Sequence, residues 1–311
     1  MDVLSDMLSA VRLESSVFAW TRLSAPWGIR AGARDHFAFH IVTRGRAHLE
    51  VDGMTSREVE AGDVVVLGPG HGHVLRDRPG SPARGLEEML ADGSFSAEAT
   101  PDGTSDRAAT QVICGCFRFA DNRGNRLLDA LPGMIHIRET AEGVGALLAQ
   151  TVRLLAHESF ADRPGTATVV NRLCDALFIY ILRSHLAAGS ATGSNWLRAL
   201  VDPDVGPAIR LIHSDVSADW TVARLAAGVG MSRSAFAARF TRVVGEAPRH
   251  YLTSLRLQRA AEMLRNGGTD IDRVAERVGY ESVAAFSKAF KRAMGVAPGA
   301  YRRAGAYRDS E

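Results

Sequence analysis

The sequence predicts an α+β protein of 311 residues, with a barrel or jelly roll of short strands at its start and an all-α domain at its end. Three observations predict it. The first 120 residues alternate apolar and polar positions between closely spaced Gly turns. From about residue 126 the apolar period becomes helical. The last hundred residues then state one helical pattern twice.

The first strands lie in AFHIVTRGRAHLEVDG, with a turn at Arg44-Gly45. Beyond it Ala47, Leu49 and Val51 face opposite to Arg46, His48 and Glu50. EVEAGDVVVLGPGHGHVLRD adds a turn at Ala61-Gly62-Asp63, an apolar strand, a turn at Pro69-Gly70 and a strand from His71. Short antiparallel strands of this kind close into a barrel or a double-sheet jelly roll. Residues 78–110 are poor in apolar groups and read as a long, partly mobile loop. QVICGCFRF follows as a strand whose Cys114 and Cys116 point to one face.

GVGALLAQTVRLLAHESF and TATVVNRLCDALFIYILRSHL read as two helices. The second is apolar at Val169, Val170, Leu173, Leu177, Ile181 and Leu182, and Phe178, Ile179 and Tyr180 widen the stripe. A helix apolar on more than one side needs more than one cover. A second subunit is the expected cover, so a homodimer through Leu177 and Ile181 is expected. AAGSATGSNW, residues 187–196, reads as a flexible linker.

The repeat comes last. Arg224, Ala226, Val229 and Gly230 recur 49 residues later as Arg273, Ala275, Val278 and Gly279. Phe236, Phe240, Arg242, Gly245, Pro248 and Tyr251 recur 50 residues later as Phe286, Phe290, Arg292, Gly295, Pro298 and Tyr301. Each copy has an apolar helix, a Gly turn, a capping Ser (Ser232, Ser282) and a second helix ended by Gly, the grammar of a helix-turn-helix. Phe236, Phe240 and Val243 are expected to be buried, as are Phe286 and Phe290. Arg233, Ser234, Ala237, Ala238 and Thr241 then face outward on one helix, and Val283, Ala284, Ser287, Lys288 and Lys291 on the other. An amphipathic helix from Pro248 to Asn266 spaces the copies. Two helical hairpins could form a core with no nucleic acid involved, but that alternative leaves the register of Gly, Ser and Pro-x-x-Tyr unexplained.

Charge agrees. Residues 201–311 carry 17 Lys plus Arg against 12 Asp plus Glu, a net +5, so the +2 of the whole chain leaves −3 for residues 1–200. A basic segment attracts the phosphate backbone. No apolar run approaches the ~20 residues that cross a bilayer, and the first residues are no secretory signal. Three cysteines make no disulfide framework. A cytoplasmic protein is expected, with no membrane partner.

Residues 203–305 resemble the DNA-binding domain of the AraC/XylS family of bacterial transcription regulators, through LAAGVGMSRSAFAARF, RLQRAAEMLR and VAERVGYESVAAFSKAFKRAMGVAPGAYRR. The resemblance implies double-stranded DNA as partner, with two recognition helices in adjacent major grooves. It implies base-reading positions at Arg233, Ser234, Ala237, Ala238, Val283, Ala284, Ser287 and Lys288. Other members often carry Arg or Gln where this chain has Ala237 and Ala238, so the first helix offers few hydrogen-bonding readers. GDVVVLGPGHGHVL resembles the second motif of the cupins, with Gly62, Gly70 and His73 matching, as in the N-terminal sensor of many AraC-type regulators.

The implied arrangement is a cupin-like sensor (1–140), a helical dimerisation segment (141–190), a linker (191–202) and a DNA-binding domain (203–311). A small-molecule effector in the barrel would change how the sensors hold the DNA readers, and His40 and His73 are the candidate ligand-binding residues. His36, His71, His48 and Glu50 complete the possible metal ligands. The paired His-x-His and the Glu of metal-binding cupins are missing, so no metal, no cofactor and no catalytic residue is expected. Two alternatives remain: a regulator that senses oxidants at Cys114 and Cys116, and a metal-dependent cupin enzyme fused to a DNA reader.

Overall fold

The computed structural model describes residues 3–9, 13–92, 109–119, 126–139, 142–159, 163–188, 195–265 and 270–308. The chain divides into two compact units, Arg12–Gly193 and Ser194–Glu311, and Met1–Val11 groups with the second. The first helix, α1 (Val3–Ser9), therefore belongs with the C-terminal helices and not with the strands that follow it. The sequence alone groups it with the strands, in residues 1–140. Its Val3, Leu4 and Met7 are buried there, which gives the short helix its apolar footing.

The first unit is two five-stranded sheets and two long helices. Its strands are β1 (Leu13–Leu23), β2 (Gly28–Ala31), β3 (Phe37–Arg44), β4 (Arg46–Val51), β5 (Arg57–Glu60), β6 (Val64–Leu67), β7 (His73–Arg76), β8 (Arg84–Gly85), β9 (Thr110–Phe119) and β10 (Met134–Ile137). Two short helices, α2 (Leu86–Ala91) and α3 (Arg126–Asp129), interrupt them. One sheet runs β1-β9-β3-β6-β10, the other β5-β4-β7-β2-β8, and all pairings are antiparallel except β2 with β8. On β4 the alternation is as read: Ala47, Leu49 and Val51 are buried, while the residues between them are not. Those three pack with Val42, Val59, Val65, Leu67, Leu75 and Cys114 as the filling between the sheets.

Two strand assignments differ from the sequence reading. β10 falls where a helical period was expected, because Met134–Ile137 pairs with β6 and completes the sheet edge. The stretch read as a loop over 78–110 contains β8 and α2, held where Ile29 and Arg30 pair with Arg84 and Gly85. The rest of that loop, 93–108, lies outside the described residues.

Helices α4 (Gly143–Ser159) and α5 (Thr166–Ala187) pack together and on the first sheet. Phe178 of α5 lies 4.9 Å from the ring of Phe117 and 5.3 Å from that of Phe119. Leu177 and Ile181, expected at a dimer interface, are fully buried within this unit together with Val170, Phe178 and Leu182. The sheet and α4 cover these five residues, so Leu177 and Ile181 are not available to a second subunit. The outward apolar groups are Leu147 and Leu154 of α4 and Val169 of α5.

The second unit is helical: α6 (Asn195–Ala199), α7 (Val205–Ser214), α8 (Val222–Gly228), α9 (Arg233–Val244), α10 (Pro248–Arg265), α11 (Ile271–Arg277), α12 (Val283–Met294) and α13 (Pro298–Arg308). The linker read over 187–196 lies outside the described residues for 189–194, as does the expected Asn266 end of the spacer helix.

Candidate nucleic-acid interface

Each copy of the repeat folds as helix, turn and helix for the same local reasons. Gly230 and Gly279 take φ of 69° and 77°, a left-handed conformation that an L side chain adopts only with strain. Ser232 Oγ then accepts from the Ala235 N–H at 3.3 Å, and Ser282 Oγ from the Ala285 N–H at 3.4 Å, capping α9 and α12 alike. Both helices end on a left-handed glycine, where Gly245 N–H donates to Thr241 O and Gly295 N–H to Lys291 O.

The buried faces repeat too. The Phe236–Phe240 and Phe286–Phe290 rings each lie 5.5 Å apart, and Tyr251 and Tyr301 close on Phe240 and Phe290 edge-on at 5.6 and 5.4 Å. On α9 the third buried apolar group is Val244 and not the expected Val243, which is half-buried.

The outward faces carry the expected residues. Arg233, Ser234, Ala238 and Thr241 are exposed on α9, as are Val283, Ala284, Lys288 and Lys291 on α12. Ala237 and Ser287 are half-buried. Arg239, also on α9, is turned to Asp202 and Asp204 at 2.9 and 3.3 Å, so its charge is held within the domain. Each helix carries three cations; all three on α12, Lys288, Lys291 and Arg292, are exposed, against Arg233 and Arg242 on α9.

A residue the sequence reading passed over fixes one motif against the other. Arg256 of α10 donates to the carbonyls of Val216 (2.9 Å), Ser217 (3.3 Å) and Ala218 (2.9 Å), which lead into α8. The turn at Gly279 sits on the same spot: a Cβ there would come within 2.5 Å of Ser217 O and 2.6 Å of Arg256. The second turn thus rests on the entry to the first motif, and only glycine fits.

Below this lies a buried polar cluster. His213 of α7 donates through Nδ1 to Asp6 Oδ2 at 2.5 Å, and its Nε2 meets Tyr251 OH at 2.8 Å. Arg259 pairs with the same Asp6 carboxylate and with Glu262 at 3.0 Å. Asp6 is 1% exposed.

In the first unit the two candidate histidines meet. His40 Nε2 is 2.7 Å from His73 Nε2, and His40 Nδ1 is 3.1 Å from Cys114 Sγ. His73 Nδ1 faces the His71 carbonyl at 3.3 Å, which can only accept. That sets every proton in turn: His73 Nδ1–H donates to the carbonyl, His40 Nε2–H to His73 Nε2, and the Cys114 thiol to His40 Nδ1. Burial lowers both imidazole pKa values, that of His40 well below 6.5, where the neighbouring His73 adds to the effect. Burial pushes the Cys114 thiol up to about 12.

The other possible ligands point elsewhere. His36 precedes β3 beside Asp35, His71 faces the Gly68 and Pro69 carbonyls, and Glu50 pairs with Arg76. Among the described residues no three His, Cys, Asp or Glu side chains converge as metal ligands. Cys116 is buried against Ser16 Oγ at 3.2 Å.

This neutral chain has a pH consequence. The unfolded chain protonates its histidines near 6.5, while the folded barrel resists until a lower pH. Stability is therefore fully present above about 6.5 and is lost as pH falls toward the folded values. The denaturation midpoint of the sensor unit should be lower at about pH 5.5 than at about pH 7.5. His40→Gln should shrink that difference. Equal wild-type midpoints would show that the two imidazoles do not govern the acid limb.

Two capped helices in one register, each presenting exposed cations, give the helical unit the geometry of a double helix-turn-helix. A cupin family profile matches residues 2–187, and a helix-turn-helix domain profile matches residues 225–304. An AraC-like transcription regulator of Streptomyces lividans is 33% identical over 97% of this chain and 98% of its own length. The HTH-type transcriptional regulator AlkR of Acinetobacter baylyi is 30% identical over 97% and 99%. Of solved structures, the DNA-binding domain of AdpA in complex with a target DNA is 31% identical over 34% of this chain and 97% of that one, with a TM-score of 0.32. The chain belongs to the AraC-type transcription regulators, with a cupin domain ahead of the helix-turn-helix domain. It is a DNA-binding regulator of transcription and not an enzyme. No helix among the described residues is long and apolar enough to cross a membrane.

Proposed function

We propose that this regulator binds a specific duplex sequence as a homodimer in the cytoplasm, with α9 and α12 in successive major grooves, and that a small-molecule effector on the sensor unit changes its DNA affinity. The observation that carries the reading is the repeated geometry of α9 and α12, capped alike and locked together through Arg256 and Gly279. Direct readout rests mainly on Arg233, Ser234, Ser287 and Lys288. Ala237, Ala238, Val283 and Ala284 offer only apolar contact, and Thr241 and Lys291 lie nearer the backbone. Lys288→Ala tests this. If Lys288 reads a base, affinity falls by about 1–3 kcal/mol for particular base pairs only. If it meets phosphate, the fall is uniform and the salt slope flattens. An unchanged affinity and slope removes Lys288 from the interface.

Leu147 and Leu154, seven residues apart and 44% and 52% exposed, are the apolar groups α4 offers to a second copy. Replacing both with Asp should give a folded monomer by sedimentation. A double variant that stays dimeric, or a wild type that is monomeric at micromolar concentration, places the contact elsewhere or removes it. The oxidant reading at Cys114 and Cys116 has less support. Nucleophilic attack on an oxidant needs a thiolate, and burial holds the Cys114 proton to about 12.

A further inference from the structure

A cleft of about 790 Å³ opens between the first sheet and α4, outside the barrel filling. Its walls bring together three guanidiniums, Arg22 of β1, Arg153 of α4 and Arg163, with His157 and one carboxylate, Glu139. The N-terminal 200 residues carry a net negative charge, so this cleft is opposite in sign to the segment that contains it. Its floor is apolar: Ala149 and Val152 are buried in α4.

The single carboxylate is held in place. Glu139 accepts from Arg153 Nη1 at 3.2 Å, and its backbone N–H donates to Asp63 Oδ1 at 3.3 Å. Asp63 is itself buried and accepts from His136 Nε2 at 2.9 Å through its other oxygen. Glu139 lies across Gly62, where φ is 92° and a Cβ would fall 2.1 Å from Oε2. The cleft thus contains a seated anion of its own, supplied by the chain, in contact with one of its three arginines.

We infer that this cleft is the effector site and that its ligand is a small amphipathic anion, a carboxylate or phosphate headgroup on an apolar body. Arginine suits both headgroups because its planar fork meets two oxygens at once. The cavity lies within the roughly 300–1,000 Å³ usual for small-molecule sites. The incoming anion replaces Glu139 at Arg153 while its body covers Val152. Arg153 precedes Leu154, so ligand pulls on the helix whose outer face offers the apolar contact to a second copy. The inference rests on the reading of the sensor unit as a small-molecule receptor and names where and what it binds.

Calorimetry on the full-length protein tests it with four probes: octanoate, phenyl phosphate, neutral octanol and cationic octylamine. Octanoate or phenyl phosphate should bind and the neutral and cationic probes should not, and the tighter of the two anions identifies the headgroup. Arg153→Ala with Arg163→Ala should weaken that binding at least tenfold. Both side chains are at the surface, and an unchanged melting curve shows that the fold is kept. Glu139→Ala should strengthen it several-fold by removing the competing carboxylate. Equal binding of octanol, indifference to the arginine pair, weakening by Glu139→Ala, or no anion binding at millimolar concentration would each overturn the proposal. Anion binding with these mutational responses but unchanged DNA affinity would keep the site and overturn its role as effector site.

Discussion

Asp6→Ala should destabilise the C-terminal unit by about 3–5 kcal/mol, as is usual when one partner of a buried ion pair is removed. The carboxylate is 1% exposed and serves both His213 and Arg259. Without it the Nδ1–H of His213 loses this carboxylate acceptor and Arg259 loses one of the two carboxylates it pairs with. Asp6→Asn retains an acceptor oxygen and should recover part of the loss. Deletion of residues 1–11 should act like Asp6→Ala and add the loss of Val3, Leu4 and Met7 from their sites on the domain. Urea denaturation of the full chain, followed by circular dichroism, reads this as an earlier helical transition. A midpoint unchanged in all three variants would show that α1 contributes nothing to the unit.

Phe290→Ala should cost about 3–5 kcal/mol by the cavity it leaves. The ring is fully buried among Phe286, Tyr301, Val274 and Leu264. Against a total stability of about 5–15 kcal/mol, that loss unfolds much of the second motif near body temperature. DNA binding should fall with it while the sensor unit melts as before. Phe240→Ala should do the same in the first motif. A Phe290→Ala chain with wild-type melting and DNA affinity would mean that the second motif is not the cooperative unit its packing describes.

What could be read in the sequence was local or repeated. The capping serines, the turn glycines and the buried phenylalanines of α9 and α12 each follow from a few neighbouring residues, and the second copy checks the first. The alternation on β4 needed only a period of two. Where distant groups decide the outcome, the sequence misled or was silent. The apolar stripe of α5 pointed to a partner, but the sheet and α4 of the same unit cover it. β10 is four residues long and is a strand only because β6 is there to pair with it. Nothing near Asp6 in the sequence marks its role, because His213 and Arg259 are brought to it from more than 200 residues away. His40 and His73 were found, but their link to Cys114 depends on the register of β3 with β9.

In the proposed mode of binding, α9 and α12 read two successive major grooves from one face of the duplex. Selection of the full-length protein on a random duplex library, followed by hydroxyl-radical and methylation footprinting of the enriched sequence, tests it most directly. The account predicts two protected major-groove patches per protomer about 10 base pairs apart, on one face of the helix. It also predicts that Lys288→Ala alters only the patch under α12. A single protected patch, protection spread around the duplex, or no enriched sequence would contradict it.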